Sequence, residues 1–193
     1  MPQTIGLYGG SFNPVHFGHI RLARQIRQLA GLDELWFMVS PQNPFKADQR
    51  LLDDDKRLEL TRLALRRERG LVASDYEFHL PRPSYTWNTL QALARDFPTH
   101  RFTLIIGADN WTSFPRWYHA QDILAHCNVI VYPRRGNDID PSTLPQGVQL
   151  LQTPLIDISS TDIRQRIAEG RPFRHLVPKA VADAIEEQHL YDR

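Results

Sequence analysis

The run Phe102-Thr103-Leu104-Ile105-Ile106 is almost continuously apolar, without the alternation of a strand that has one wet face. A strand of this kind must be covered on both sides, which is the condition of a strand inside a parallel sheet. Similar runs occupy residues 3–8, 35–39 and 128–132, with a shorter one at 71–74. Between them lie longer stretches with helical spacing. In 17–30 the apolar positions are Ile20, Ala23, Ile26 and Ala30, with Gly31 as the stop; in 54–70 they are Leu58, Leu60, Leu63, Ala64 and Leu65. Residues 86–97 form a third predicted helix, and two more, 161–169 and 178–189, close the sequence. Strands alternating with helices predict an α/β fold, a doubly wound and mostly parallel sheet with a small C-terminal helical portion. Such sheets bind ligands at the carboxyl ends of their strands. The Pro- and Gly-rich segment 133–148 reads as a surface loop or lid.

The 193 residues suit a single domain spanning 1–193. With 23 Lys and Arg against 22 Asp and Glu, the balance argues against a dedicated nucleic-acid binder. Arg66-Arg67 and Arg134-Arg135 read as solvated surface. The single cysteine, Cys127, permits no internal disulfide and no cysteine-based metal site; it reads as a buried, inert thiol. No signal peptide and no apolar run of about 20 residues is visible, so a cytoplasmic protein without a membrane segment is expected.

The chemistry concentrates between the first strand and the first helix, in Gly9-Gly10-Ser11-Phe12-Asn13-Pro14-Val15-His16-Phe17-Gly18-His19. Gly9 and Gly10 permit a tight turn with unshielded amides, and a helix start offers free N–H groups to an anion. His16 and His19, three apart, share a face where two imidazoles can donate to phosphate oxygens. Gly18 clears the space above the turn for a nucleotide, and Ser11 adds a hydroxyl. The pattern is neither a dinucleotide fingerprint nor a P-loop. It is not a zinc site either, since the remaining histidines are scattered.

A second phosphate-type cluster, Ser159-Ser160-Thr161-Asp162-Ile163-Arg164, precedes the penultimate helix. Ser159 and Asp162 have capping-box spacing, while Ser160 and Arg164 lie one turn apart and can face one anion. Paired with the first turn, the cluster supplies the cation that a triphosphate needs at its far end. Lys46, in the Pro-rich loop after the second strand, is a further candidate cation.

The 9–19 turn and Ser159-Ser160-Thr161-Asp162-Ile163-Arg164 resemble the two motifs of the His-x-Gly-His nucleotidyltransferases, which have a Rossmann-like fold. Pro83-Ser84-Tyr85-Thr86, Ile105-Ile106-Gly107-Ala108-Asp109, Phe114-Pro115-Arg116-Trp117-Tyr118, Leu176-Val177-Pro178 and His189-Leu190-Tyr191 are similar to the bacterial nicotinate-nucleotide adenylyltransferase family. The resemblance implies ATP and nicotinate mononucleotide as substrates, with Mg2+ bound through the ATP phosphates, giving deamido-NAD and pyrophosphate. It implies His16 and His19 at the reacting phosphates, and Arg164, Ser159, Ser160 and Thr161 on the ATP tail. Gly107 and Asp109 would also meet ATP, Asp109 through ribose hydroxyls. Trp117 would stack on the pyridine ring, and amides near Thr86 and Tyr118 would receive its carboxylate. Trp117 as a core residue and Thr86 as a helix N-cap are the plain structural roles of the same residues. Two positions depart from the family pattern: Asn13 stands where Asp is common, and Asn43-Pro44-Phe45-Lys46 replaces Pro-Pro-His-Lys.

In such a reaction the substrate's own phosphate attacks, so no protein nucleophile is required, and positioning with charge stabilisation supplies the catalysis. Phosphopantetheine or nicotinamide mononucleotide as the acceptor, and a non-catalytic nucleotide sensor, are the alternatives. The sequence leaves a homo-oligomer open.

Overall fold

The computed structural model describes residues 1–41, 51–155 and 157–192. Among these, six strands form one sheet: β1 (Thr4–Gly10), β2 (Glu34–Val39), β3 (Leu71–Ser74), β4 (Arg101–Gly107), β5 (Asn128–Tyr132) and β6 (Val148–Leu150). Their order is β3-β2-β1-β4-β5-β6, and every neighbouring pair is parallel. The direction of winding reverses beside β1, whose neighbours are β2 and β4. A crevice at the carboxyl ends of β1 and β4 is therefore the expected ligand position.

The helices are α1 (Phe17–Leu29), α2 (Asp54–Leu65), α3 (Thr86–Asp96), α4 (Ala108–Ser113), α5 (Ala120–His126), α6 (Ser160–Ala168) and α7 (Lys179–Glu187). Alternate strand residues enter two separate cores. Tyr8, Phe37, Ile105 and Ile130 pack with Ile20 of α1, Leu60 of α2 and Ile185 of α7. Leu7, Leu104, Ile106 and Val131 pack on the other face with Leu93 of α3 and Ile123 of α5. Continuous apolarity along β4 is thus explained by two dry faces. Gly6 keeps β1 close to its cover, since a Cβ there would stand 2.6 Å from Cδ1 of Ile105 and 2.7 Å from Cδ1 of Leu32. Cys127 lies in the second core, where burial pushes its thiol up to about 11, as an inert cysteine requires.

The sheet is wound as the sequence predicts, with three differences. The segment read as a loop up to residue 148 leads into β6, a three-residue edge strand held by backbone pairing of Val148 to Val129. Helices α4 and α5, six and seven residues long, are too short to show periodicity. The second predicted helix stops at Leu65 rather than at Gly70, whose φ of +75° belongs to a turn. No helix among the described residues is long and apolar enough to cross a membrane.

Candidate active site

Strand β1 runs on to Gly10, with Gly9 paired to Met38 and Gly10 to Val39. The chain then turns and enters α1 with His16 in extended backbone conformation at the N-cap. The His16 N–H donates to Nδ1 of His19 at 3.3 Å, and the two imidazoles stack with centroids 3.7 Å apart. Phe12 presents itself edge-on to His19 at 5.1 Å. His16 is 4% exposed, and burial, followed by the charge of Arg134, lowers its pKa to about 3. Near neutral pH it is a neutral imidazole. Its Nδ1 is buried and has no partner among the described residues.

The second cluster is fastened to the back of this turn. Ser159 caps α6 by accepting from the Asp162 N–H at 3.1 Å. Ser160 Oγ donates to the Pro14 carbonyl at 2.9 Å. Arg164 Nη1 donates to the Asn13 carbonyl at 2.8 Å, and Nη2 to Thr161 Oγ1 at 3.3 Å. From below, the fully buried Arg57 donates to the carbonyls of Ser11 at 2.7 Å, Leu52 at 2.9 Å and Ser40 at 3.0 Å. Three carbonyls of the turn are thereby engaged by charged or hydroxyl donors, which fixes its path.

A cavity of about 450 Å³ opens over the turn. Of the residues singled out in the sequence, Gly9, Gly10, Ser11, His16, Gly18, His19, Asp109, Ser160, Thr161 and Arg164 line it. Ser159 does not, because its hydroxyl is spent on the α6 cap. Gly107 is also absent from the wall; it precedes α4 and leaves room for others. A Cβ on it would stand 2.4 Å from Asp109 Oδ1 and 3.1 Å from Arg134 Cγ. Lys46, with Phe45 and the rest of its loop, lies outside the described residues.

A second cavity, also about 450 Å³, is lined by Thr86, Trp117 and Tyr118. Thr86 is the first residue of α3 and not its N-cap, contrary to expectation; Tyr85 holds that position and makes no side-chain capping bond. Trp117 packs on Phe114 at 5.2 Å, and its buried indole N–H has no partner among the described residues. Glu77, 8% exposed, accepts from Ser40 Oγ at 2.7 Å and from Thr89 Oγ1 at 2.8 Å. Burial raises its pKa against the opposing pull of those two bonds. Gly9, Gly10, Asn110 and Tyr132 border both cavities, so the two spaces meet over the glycines.

Sequence reasoning missed Arg134. Read as solvated surface, it is indeed exposed, and it also lines the phosphate-side cavity. Nη2 donates to the Tyr132 hydroxyl at 3.1 Å, the guanidinium lies 5.2 Å over the Tyr132 ring, and Nε is 3.8 Å from Asp109 Oδ1. Its neighbour Arg135 pairs with Asp157 at 2.8 Å on the same wall. The available signal was position: both follow β5 at its carboxyl end, where such folds place their sites. Arg57 carried no such signal, being one arginine on an ordinary helix.

One cavity thus gathers cations, hydroxyls and a stacked histidine pair suited to a polyanion; the other offers a tryptophan and a helix start suited to a flat anionic ring. The cytidylyltransferase-like family model matches residues 7–166. A probable nicotinate-nucleotide adenylyltransferase of Bacteroides fragilis (strain YCH46) is 45% identical over 183 residues, 95% of this chain and 91% of its own. Another from Cytophaga hutchinsonii is 40% identical over 189 residues, 98% of each chain. Among solved structures, Plasmodium falciparum nicotinic acid mononucleotide adenylyltransferase complexed with NaAD superposes with a TM-score of 0.82. That match covers 98% of this chain and 97% of the other; at 20% identity it speaks for the fold.

Proposed function

The chain belongs to the nicotinate-nucleotide adenylyltransferases of the cytidylyltransferase-like family, and from that premise we propose that it transfers AMP from ATP to nicotinate mononucleotide, forming deamido-NAD and pyrophosphate. The observation that carries this reading is the meeting of two like-sized cavities over Gly9 and Gly10. A ridge without side chains lets two bound nucleotides touch.

ATP takes the cavity of His16, His19 and Arg164, with its tail toward Ser160, Thr161 and Arg164 and its ribose toward Asp109. The pyridine nucleotide takes the other, its ring on Trp117 and its carboxylate on amides near Thr86 and Tyr118. Its phosphate oxygen, largely ionised near neutral pH, forms the new bond to the α-phosphorus of ATP as the bond to pyrophosphate breaks. His16, held neutral, serves as a hydrogen-bond donor to phosphate through its one ring N–H and adds no net charge. No side chain needs to act as nucleophile.

Magnesium fits as an ion carried by the substrate. Among the described residues no group of three or more His, Cys, Asp or Glu is gathered to cage a metal, whereas Asp109 and Asp157 line the ATP cavity. Bound there on the phosphates, it would offset charge on the leaving pyrophosphate. The proposed setting is the cytoplasm, in NAD biosynthesis.

The test measures pyrophosphate release from Mg-ATP with nicotinate mononucleotide, nicotinamide mononucleotide or phosphopantetheine. Release with nicotinate mononucleotide is expected; release only with another acceptor, or none at all, overturns the reading.

A further inference from the structure

Beyond α7 the chain bends back toward its own beginning. His189 and Tyr191 both adopt left-handed backbone, with φ of 50° and 67°. Residues with a side chain hold that conformation only when their surroundings impose it, and such outliers cluster where a fold fixes something in place. The bend lays the Tyr191 ring against the larger core and brings its hydroxyl 2.9 Å from Asn13 Oδ1. Burial keeps the phenol protonated, against the lowering influence of Arg164 and Arg57, so Tyr191 is the donor in this bond.

Asn13 is a junction. It is 2% exposed, and its Oδ1 also accepts from the Leu52 N–H at 3.3 Å. Its carbonyl accepts from Arg164 Nη1 at 2.8 Å. Among the described residues the other hydrogen bond of Arg164 is the longer one to Thr161 Oγ1, and its charge is also felt by Tyr191. Among the described residues two of its five N–H donors are engaged, and the direction of the others depends on where the Asn13 carbonyl stands. Three residues further along the same backbone is His16.

We propose that Tyr191 is a positioning residue of the ATP cavity: by holding the Asn13 side chain it sets the Asn13 carbonyl, and through that carbonyl the aim of Arg164. Tyr191 lines neither cavity, and the activity readout rests on the function proposed above. The plain alternative is that Tyr191 only fills the core. Tyr191→Phe separates the two, because it keeps the ring and removes the hydroxyl alone.

The test compares wild type, Tyr191→Phe, Asn13→Ala and the double variant in the full chain. It reads affinity for a non-hydrolysable ATP analogue, kcat, and KM for nicotinate mononucleotide. Tyr191→Phe is expected to weaken the analogue about 5-fold and lower kcat about 10-fold, the scale of a small misplacement of a binding group. KM for the pyridine nucleotide stays within about twofold, because that cavity is not touched. In the Asn13→Ala background, Tyr191→Phe has no further effect, since the linkage is already cut. Unchanged analogue affinity and kcat, equal loss for both substrates, or an undiminished Tyr191→Phe effect in Asn13→Ala would each overturn the proposal. Should Asn13→Ala not fold, the split between the two substrates in Tyr191→Phe decides alone. If wild type releases no pyrophosphate with nicotinate mononucleotide, the function reading falls, while the analogue affinities still decide the role of Tyr191.

Discussion

The Arg57 guanidinium donates to the Ser11 carbonyl at 2.7 Å from a position with no exposed surface. It also satisfies the carbonyls of Leu52 and Ser40, so one buried cation ties the glycine turn to the end of β2 and the start of α2. Arg57→Leu leaves these three carbonyls without their donor. At about 1–3 kcal/mol for a buried unsatisfied group, with partial relaxation, the expected loss is roughly 3 kcal/mol. Urea unfolding measures it, and a loss below about 1 kcal/mol would contradict this account. Arg57→Lys should not restore stability, because a single ammonium cannot reproduce the fork of donors.

His16 gives the protein a pH dependence of defined sign. Its folded pKa is about 3, against about 6.5 in an unfolded chain. Above about 6.5 neither state holds the proton, and the group has no effect. As pH falls below that, the unfolded state takes up a proton that the folded state refuses until about 3. Stability is therefore lost on acidification through this window, by about 1.4 kcal/mol per pH unit from His16 alone. In His16→Asn the unfolding free energy should fall less steeply between about pH 6 and 4, by close to one proton. Parallel curves for the two proteins would refute the buried neutral imidazole.

His19→Ala tests the stacked pair chemically. Loss of one charge-stabilising group is expected to lower kcat about 10²- to 10³-fold. Urea unfolding of the variant separates this chemical loss from any structural one, since the His19 ring also packs against His16, Phe12 and Tyr8. A folded variant with near-normal turnover would remove His19 from the reaction.

Trp117→Ala should raise KM for the pyridine nucleotide at least about tenfold, the worth of a buried aromatic contact of about 1.5 kcal/mol, with ATP affinity little changed. Trp117 lines only the second cavity, which is why the effect should be one-sided. Equal loss for both nucleotides would mean that the indole supports the fold and not the ligand.

What could be read from the sequence was local. The strand, the two glycines, the helix start and the His16–His19 spacing lie within a few turns of chain, and the physics acting there is short-range. The apolar strands were legible for the same reason, each displaying its two dry faces residue by residue. β6 was not, since three residues at an edge are held by backbone bonds that any side chains permit. Arg134 needed the strand order before its position at the carboxyl end of β5 meant anything. Arg57 and Tyr191 act on the turn from 46 and 178 residues away, and no spacing rule reaches so far. Ser159 and Gly107 were assigned to the phosphate wall on their motif neighbours, but the fold uses one as a cap and the other as space.

The strand order carries a further consequence. The chain builds β1, β2 and β3 outward in one direction, then crosses back over the sheet and builds β4, β5 and β6 outward in the other. Both cavities straddle that seam: Gly9, Gly10 and Ser40 or His16 come from before the crossing, Thr86 from the crossing helix α3, and Trp117 or Asp109 and Arg164 from after it. Severed between residues 80 and 84, neither fragment would own a complete substrate wall. Reunion of the halves would be the event that restores the site, so in a split chain product formation reports reassembly.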